Sequence, residues 1–412
     1  MRLALLALAI LPFALLLSCG GDDYQTAPSG QSADGGQPDS AKPPPKKAPV
    51  ATPEALEVKR ELLTIRAIAD DTQRKSEARS KASDFAARTL PPDAIYFRAM
   101  LWQQADDFAK AAEDFLQFAT IAPSDDPNAD DGYIWAADSF LKAGDTARAL
   151  KCVDDHKMKF PTQAKELKTI CSKVGTALQN EGKFEDAVPQ FESAVAAGHD
   201  TAGQDLVGAL QILGKFEQAR SKARDLEQMA KGGMQGERYA LQAARAERIG
   251  RTAPALRVAG WHDTFDPEDL KEKVWLMYTW NPTPSRQRLS DGLEKGLRPL
   301  YEKYKDQGFE IVGVSEPIRL DISDLAAGTD RDLSVEQEID QLRIWASNQK
   351  PETPWHLALI NDESVKKEWG VYKFPNFFLV DRKGNYRYFT SGVEVATFDL
   401  LEKVISRLLA EK

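Results

Sequence analysis

Two segments near the middle of the chain are near copies of each other. Residues 182–195 read GKFEDAVPQFESAV and residues 214–226 read GKFEQARSKARDL, so the pattern returns after 32 residues. Related turns begin at Asp106, Gly144 and Gly250, which gives successive spacings of 38, 38, 32 and 36 residues along the chain. One helical unit of this length cannot bury its apolar face alone, whereas stacked units share a continuous core. The periodicity therefore predicts an array of stacked helix pairs.

The helical pattern, with apolar residues three and four positions apart, extends over residues 54–256. Its signature residues are similar to those of tetratricopeptide repeats. In the second helices these are Ala111, Phe115, Phe118, Pro123, Ala149, Val153, His156, Pro161, Ala187, Phe191 and Ala194; in the first helices they are Tyr133, Ala136, Ala137, Phe140, Cys171, Val174, Gly175 and Leu178.

The resemblance implies an all-α solenoid over residues 90–258, with residues 53–89 as a helical cap. Such solenoids usually bind a protein or peptide segment on a concave face. The alternative is that the array only holds the C-terminal part of the chain away from a membrane.

The C-terminal residues 259–412 change from a helical to an alternating pattern. KVWLMYTW at 273–280 and FEIVGVSEP at 309–317 are apolar strands, and the segment between them is amphipathic and helical. A second helix at 335–350, two further strand patterns with a turn, and a closing helix follow. This order predicts an α/β sheet with helices on both faces.

This part of the chain resembles the thioredoxin fold of TlpA-like and peroxiredoxin-like envelope proteins. DPEDLKEKVWLMYTW matches the approach to that family's active site, and VKKEWGVYKFPNFFLVDRKGNY matches the segment with its cis-proline. The resemblance places Pro375 at the cis-proline position, after Phe374. The fold class is thus multidomain, an all-α tetratricopeptide-like solenoid followed by an α/β thioredoxin-like domain.

The family's two catalytic cysteines do not carry over. Where the family has Cys, two residues and Cys after a Trp, this chain has Asn281, Pro282, Thr283, Pro284 and Ser285. Dithiol chemistry needs a thiolate and a resolving thiol, and the chain has no Cys after residue 171. Thr283 and Pro284 suit a helix start, so the turn is kept for structure while its chemistry is lost.

Other catalytic sites lack their residues as well. Ser285 as a nucleophile would need a histidine base, and the chain has four histidines, at 156, 199, 262 and 356, with no nucleophile motif around the serine. The histidines and cysteines do not cluster at zinc-binding spacing. We therefore expect no metal and no cofactor.

A groove beside the cis-proline is the remaining candidate in this domain. In thioredoxin-like proteins the backbone there can pair with an extended peptide, which needs no sulfur. The resemblance implies that Trp280, Phe374 and Pro375 line this groove, and that the loop-like insertion 318–334 shapes one side. Alternatively, the two aromatic residues are packing residues retained by ancestry.

The N-terminus reads as an export signal. Residues 1–19 combine one basic residue with a short apolar run and end in Leu16-Leu17-Ser18-Cys19. That ending resembles the bacterial lipobox, which implies that Cys19 is lipid-modified and anchors the protein to a membrane; the alternative is an uncleaved anchor or cleavage elsewhere. Residues 20–52 are rich in Gly, Pro and Ser, which predicts a disordered tether.

Two cysteines remain if Cys19 carries a lipid. Cys171 falls at a repeat position that is usually apolar, which favours a buried residue. Cys152 lies on the second helix of the preceding repeat, and the two could form a disulfide in an oxidising envelope.

The charge and the missing sulfurs together define the functional prediction. A net charge of −9 argues against nucleic acid as a partner. We predict a non-catalytic, periplasm-facing envelope lipoprotein that binds or scaffolds other proteins, or extended segments of them. The alternative is a thiol-disulfide oxidoreductase with TlpA-like redox or antioxidant activity, inferred by family or acting through Cys152 and Cys171.

Overall fold

The computed structural model describes residues 51–126, 128–199, 201–229, 233–280, 287–317, 333–349, 351–360, 363–371 and 375–411. Residues 1–50 lie outside this part, so the predicted signal, Cys19 and the tether stay predictions. Within the described residues no helix is long and apolar enough to cross a bilayer.

The first part of the described chain is all-helical. Its helices are α1 Pro53–Arg66, α2 Asp71–Ala86, α3 Pro92–Gln104, α4 Phe108–Ile121, α5 Ala129–Lys142, α6 Thr146–Lys159, α7 Lys168–Asn180, α8 Phe184–Ala196, α9 Ala202–Ile212, α10 Phe216–Met229 and α11 Gly233–Ala246. Each packs against its neighbours in the chain, and a single apolar core runs from α1 to α11. The predicted all-α, tetratricopeptide-like solenoid is confirmed.

The repeated Gly positions mark the turns between paired helices. The second residue after the first helix of a pair has a left-handed backbone, with φ of 55° at Asp106, 80° at Gly144, 78° at Gly182 and 71° at Gly214. The next N–H then bonds back into the helix, as from Asp145 to the Phe140 carbonyl at 2.8 Å. Gly adopts this backbone at least cost, which is why it recurs at the repeat period.

Small residues let the two helices of a pair approach closely. A Cβ atom added at Gly175 would lie 2.7 Å from the Phe191 ring, and one added at Gly203 would lie 2.6 Å from Leu226. Small residues on the first helix of a pair thus pack against large ones on the second.

The helical prediction is wrong at the end of the array. The turn at Gly250 is not followed by a second helix, since residues 251–257 are non-helical. Pro254 disfavours a helix there, and the backbone instead joins a sheet edge. The Gly250 N–H bonds to the Tyr386 carbonyl at 2.7 Å, and the Tyr386 N–H bonds to the Arg251 carbonyl at 2.9 Å.

The second part of the chain is the predicted α/β domain. Its elements are β1 Val258–Trp261, β2 Val274–Trp280, α12 Gln287–Tyr304, β3 Phe309–Ser315, α13 Val335–Asn348, β4 His356–Ile360, α14 Glu363–Trp369, β5 Asn376–Val380, β6 Tyr386–Ser391 and α15 Val395–Ala410. The sheet order is β1-β4-β3-β2-β5-β6.

The strand directions are those of a thioredoxin-like fold. β2, β3 and β4 are parallel, while β5 and β6 form an antiparallel hairpin that joins the sheet beside β2. β1 pairs with β4 at the other edge; neither β1 nor α14 was evident as a separate element in the sequence. Alternate strand residues fill two cores, one under α12, α13 and α15 and the other under α14.

The array and the α/β domain share part of their packing. Phe184 and Ile212, at the start of α8 and the end of α9, belong to the same apolar cluster as the α12 and α15 side of the sheet. Helices α7 and α9 contact α15 and β6. The array therefore packs directly on the thioredoxin-like domain.

Candidate functional site

The former redox position lies outside the described residues. Asn281, Pro282, Thr283, Pro284 and Ser285 fall in the gap after β2, and Phe374 falls in the gap before Pro375. The predicted helix start at Thr283 and Pro284 and residues 318–332 of the insertion 318–334 also lie outside the described residues. Their proposed roles stay predictions.

The two described residues of the predicted groove are both buried. Trp280 is 1% exposed, and its ring lies 4.2 Å from the Trp345 ring. Pro375 is buried at the start of β5. In this structure Trp280 is thus part of the sheet's core, as the packing alternative predicts. A peptide-binding role for these residues stays a prediction.

Cys152 and Cys171 are free thiols inside the array. Cys152 is 1% exposed on α6 and Cys171 is 0% exposed on α7. They are not joined by the disulfide that the sequence allowed. Each thiol occupies a buried position of its own helix, as Val153 does on α6 and Val174 on α7.

Burial also changes the chemistry of these thiols. It raises the pKa of Cys152 to about 12 and that of Cys171 to about 11. A neutral, buried thiol is a poor nucleophile because the thiolate is the attacking species.

A cavity of about 600 Å³ lies where the array meets the thioredoxin-like domain; we call it the junction cavity. Helices α7, α9 and α11 form one wall, and β5, β6 and α15 form the other. Its lining residues are Gln179, Gln204, Asp205, Gly208, Gln211, Glu237, Leu241, Gln242, Arg245, Asn376, Tyr388, Phe389, Thr390, Ser391 and Leu400. Its volume falls in the range of small-molecule and cofactor sites.

The junction cavity is lined by carboxamides whose polar atoms lack protein partners. Gln211 is 1% exposed, and neither its Nε2 nor its Oε1 has a hydrogen-bond partner among the described residues. The same holds for Gln242 Oε1 and Asn376 Nδ2. Buried polar side chains are usually hydrogen-bonded, so such a concentration is unusual for a purely structural interface.

Arg245 joins the two walls of the junction cavity. From α11 its Nε donates to the Gly370 carbonyl at 2.8 Å and its Nη2 donates to Asn376 Oδ1 at 2.7 Å. Its guanidinium lies 4.9 Å from the centre of the Phe389 ring. Burial lowers the pKa of Arg245, but arginine stays charged in proteins. Arg245 therefore fixes α11 against the residue that follows Pro375.

Asp205 is the partly buried carboxylate of the junction cavity. It forms no ion pair or hydrogen bond with a residue that the structure describes, and removal from water raises its pKa to about 6. Burial, and to a lesser extent the Asp205 charge, also raises the pKa of Tyr388. At neutral pH Asp205 is therefore an uncompensated negative charge.

We expect Asp205→Asn to stabilise the protein at pH 7.5 by about 1–2 kcal/mol, after allowance for partial exposure. The folded pKa lies above the unfolded value, so the folded state binds more protons, and wild-type stability falls as pH rises from about 4 to 6. Urea denaturation of both proteins across pH 4–8 measures the difference. The exposed Asp225→Asn on α10 is the control. A constant Asp205→Asn difference across this range would contradict the expectation.

None of the junction cavity's lining residues was identified from the sequence except as part of a helix or strand. One signal was present: Gln204 and Gln211 are seven residues apart on α9, and Gln211 interrupts the apolar run VGALQIL. A polar residue at a core-facing helical position marks either a buried network or a site. The partner wall is more than a hundred residues away and gives no local signal.

No protein-family model and no curated protein sequence matches this chain. Its structure is similar to that of a thiol-disulfide isomerase from Corynebacterium glutamicum, with 19% identity over 39% of this chain and 98% of that one and a TM-score of 0.28. A thiol:disulfide interchange protein of the thioredoxin family from Chlorobium tepidum is 13% identical over 39% of this chain and 99% of that one, with a TM-score of 0.28.

The helical array also has a similar solved structure. A thermophilic TPR protein from Thermus thermophilus is 16% identical over 46% of this chain and 98% of that one, with a TM-score of 0.26. Each of the three proteins matches less than half of this chain, and the TM-scores are low. The fold is therefore assigned from the helix pairing and the strand order described above.

Proposed function

We propose that this protein is a non-catalytic, lipid-anchored protein of the bacterial cell envelope that binds other proteins. The thioredoxin-like domain has the fold of thiol-disulfide oxidoreductases but acts here as part of a binding scaffold with the helical array. In this proposal the lipid on Cys19 anchors the protein to the membrane, and residues 20–52 form a flexible tether between that anchor and the folded domains.

The placement of the thiols carries the non-catalytic part of the proposal. The thioredoxin-like domain has no cysteine, and the two cysteines of the array are buried in helix cores with raised pKa values. Thiol-disulfide exchange needs an accessible thiolate and a second thiol within reach. Two buried, protonated core thiols do not meet the first requirement.

Two features support a binding role. Helical-repeat arrays offer extended surfaces for protein segments, and here α7, α9 and α11 line a cavity with unpartnered amides. The domain also keeps its sheet and helices while its sulfurs are replaced, which fits a role that depends on shape.

Redox assays test the proposal on the full-length protein. We expect insulin reduction and dithiol oxidation to stay at the no-enzyme rate, for both the wild type and a Cys152→Ser/Cys171→Ser double variant. A thiol reagent at pH 8 should label neither Cys152 nor Cys171 in the native protein and both in urea. Circular dichroism checks the fold of the double variant.

The opposite result supports the oxidoreductase alternative. Wild-type turnover that disappears in the double variant, together with native labelling of either thiol, would show that the array holds a working dithiol. Crosslinking should recover the same partner with both proteins if the thiols are structural. Loss of that partner in the folded double variant would also count against the proposal.

A further inference from the structure

We propose that the junction cavity binds an extended peptide segment through its backbone, with a lysine or arginine side chain of that segment placed against Asp205. This inference rests on the proposed binding function and specifies the ligand's chemistry.

The unpartnered amides indicate a ligand with both donors and acceptors. Gln211 offers Nε2 as a donor and Oε1 as an acceptor, Gln242 offers Oε1, and Asn376 offers Nδ2. These three residues are 1%, 8% and 1% exposed, and they come from α9, α11 and β5. A peptide backbone provides one N–H and one C=O per residue, so it can satisfy both kinds of group at once.

The sheet edge favours an extended backbone. β6 is the last strand of the sheet. Among the described residues, only Gly250–Ala253 pair with the outer side of this strand, and they do so at its N-terminal end, where Thr252 also forms a bridge to Asn385. Phe389, Thr390 and Ser391 of the same strand line the junction cavity. The part of an edge strand that pairs with no other strand is a template for strand addition.

The charges favour a basic side chain. Asp205 and Glu237 line the junction cavity with negative charge, whereas the one lining arginine, Arg245, already donates to Gly370 and Asn376. Asp205 has no cationic partner among the described residues. An anionic ligand would meet two carboxylates, while a lysine or arginine would neutralise Asp205.

The probe is a positional-scanning library of acetylated and amidated ten-residue peptides, bound to the full-length protein and read by fluorescence anisotropy. We expect selection of lysine or arginine at one position, and little selection of acidic residues anywhere.

Variants of the lining residues locate the binding. Asp205→Asn should weaken the selected peptide about tenfold and abolish the basic preference. Gln211→Leu should weaken all selected peptides about tenfold or more, with the protein at least as stable, since the change removes an unpartnered buried amide. The controls Asp225→Asn and Gln218→Leu, both exposed on α10, should change the dissociation constant less than twofold.

Three results would overturn the proposal. One is peptide binding that neither Asp205→Asn nor Gln211→Leu changes. The protein would then still bind peptides, but at a site other than the junction cavity. Another is a preference for acidic peptides. The third is absence of peptide binding in a protein that stays inactive in the redox assays. Redox turnover, by contrast, contradicts the proposed function itself, so the two failures are distinguishable.

Discussion

Asp114→Asn is expected to lower the free energy of unfolding of the helical array by about 3–5 kcal/mol. Asp114 on α4 accepts two hydrogen bonds from Arg98 on α3, both 2.7 Å long, and the two residues are 8% and 9% exposed. The substitution keeps the shape of the side chain but leaves a buried guanidinium without its counter-charge. Urea denaturation of the full chain, followed by circular dichroism, measures the loss.

An exposed pair of the same chemistry is the matched control. Arg88 donates to both carboxylate oxygens of Glu57 at 3.0 and 2.9 Å, but both side chains are more than 40% exposed. Glu57→Gln should therefore cost about 1 kcal/mol or less.

The double variant Arg98→Met/Asp114→Leu should recover most of the loss, because it removes both buried charges. If Asp114→Asn and Glu57→Gln lowered the free energy of unfolding equally, the Arg98–Asp114 pair would be hydrated in solution, and the expectation would be wrong.

Much of the architecture follows from local patterns in the sequence. The helix pairs were predictable because Gly144, Gly182 and Gly214 occupy turns that need a left-handed backbone. The parallel strands were predictable because KVWLMYTW and FEIVGVS are continuous apolar runs, as expected for strands buried on both faces. The end of the array was not predictable, because the conformation after Gly250 depends on a hydrogen bond to Tyr386, a residue far along the chain.

The candidate site could not be predicted for the same physical reason. Arg245 and Asn376 are 131 positions apart. Their pairing depends on how helices and sheet pack, for which a single sequence has no periodic signal. The burial of Trp280 likewise follows from its contact with Trp345 on α13, not from its place after an apolar run.

The packing of the two folds bears on what the array does. Phe184 and Ile212 from the array lie in the core of the sheet domain, and α7 and α9 contact α15 and β6. A simple spacer would need no such shared core. This contact instead creates a cavity whose walls come from both folds, so a ligand bound there would depend on how they are held together.

Arg245→Met should lower the free energy of unfolding by about 3 kcal/mol and loosen the contact between α11 and β5. Two hydrogen bonds from a charged donor are lost, each worth about 1.5–3 kcal/mol, and the buried Asn376 amide keeps no partner for its oxygen. Methionine retains much of the apolar stem, so packing against Phe389 is less affected.

Hydrogen exchange separates a loss at this contact from general destabilisation. Amides of α11 and of the first residues of β5 should exchange faster at low denaturant, while those of β2 and β3 in the centre of the sheet should be unchanged. Arg224→Met is the control, because Arg224 pairs with Glu247 at the surface and its loss should cost about 1 kcal/mol or less. If both variants lose similar stability, or if β2 and β3 exchange faster in step with α11, then Arg245 does not act as a local link. The junction cavity would in that case be held by the remaining contacts between the two folds, such as those of Phe184, Ile212 and Gly250.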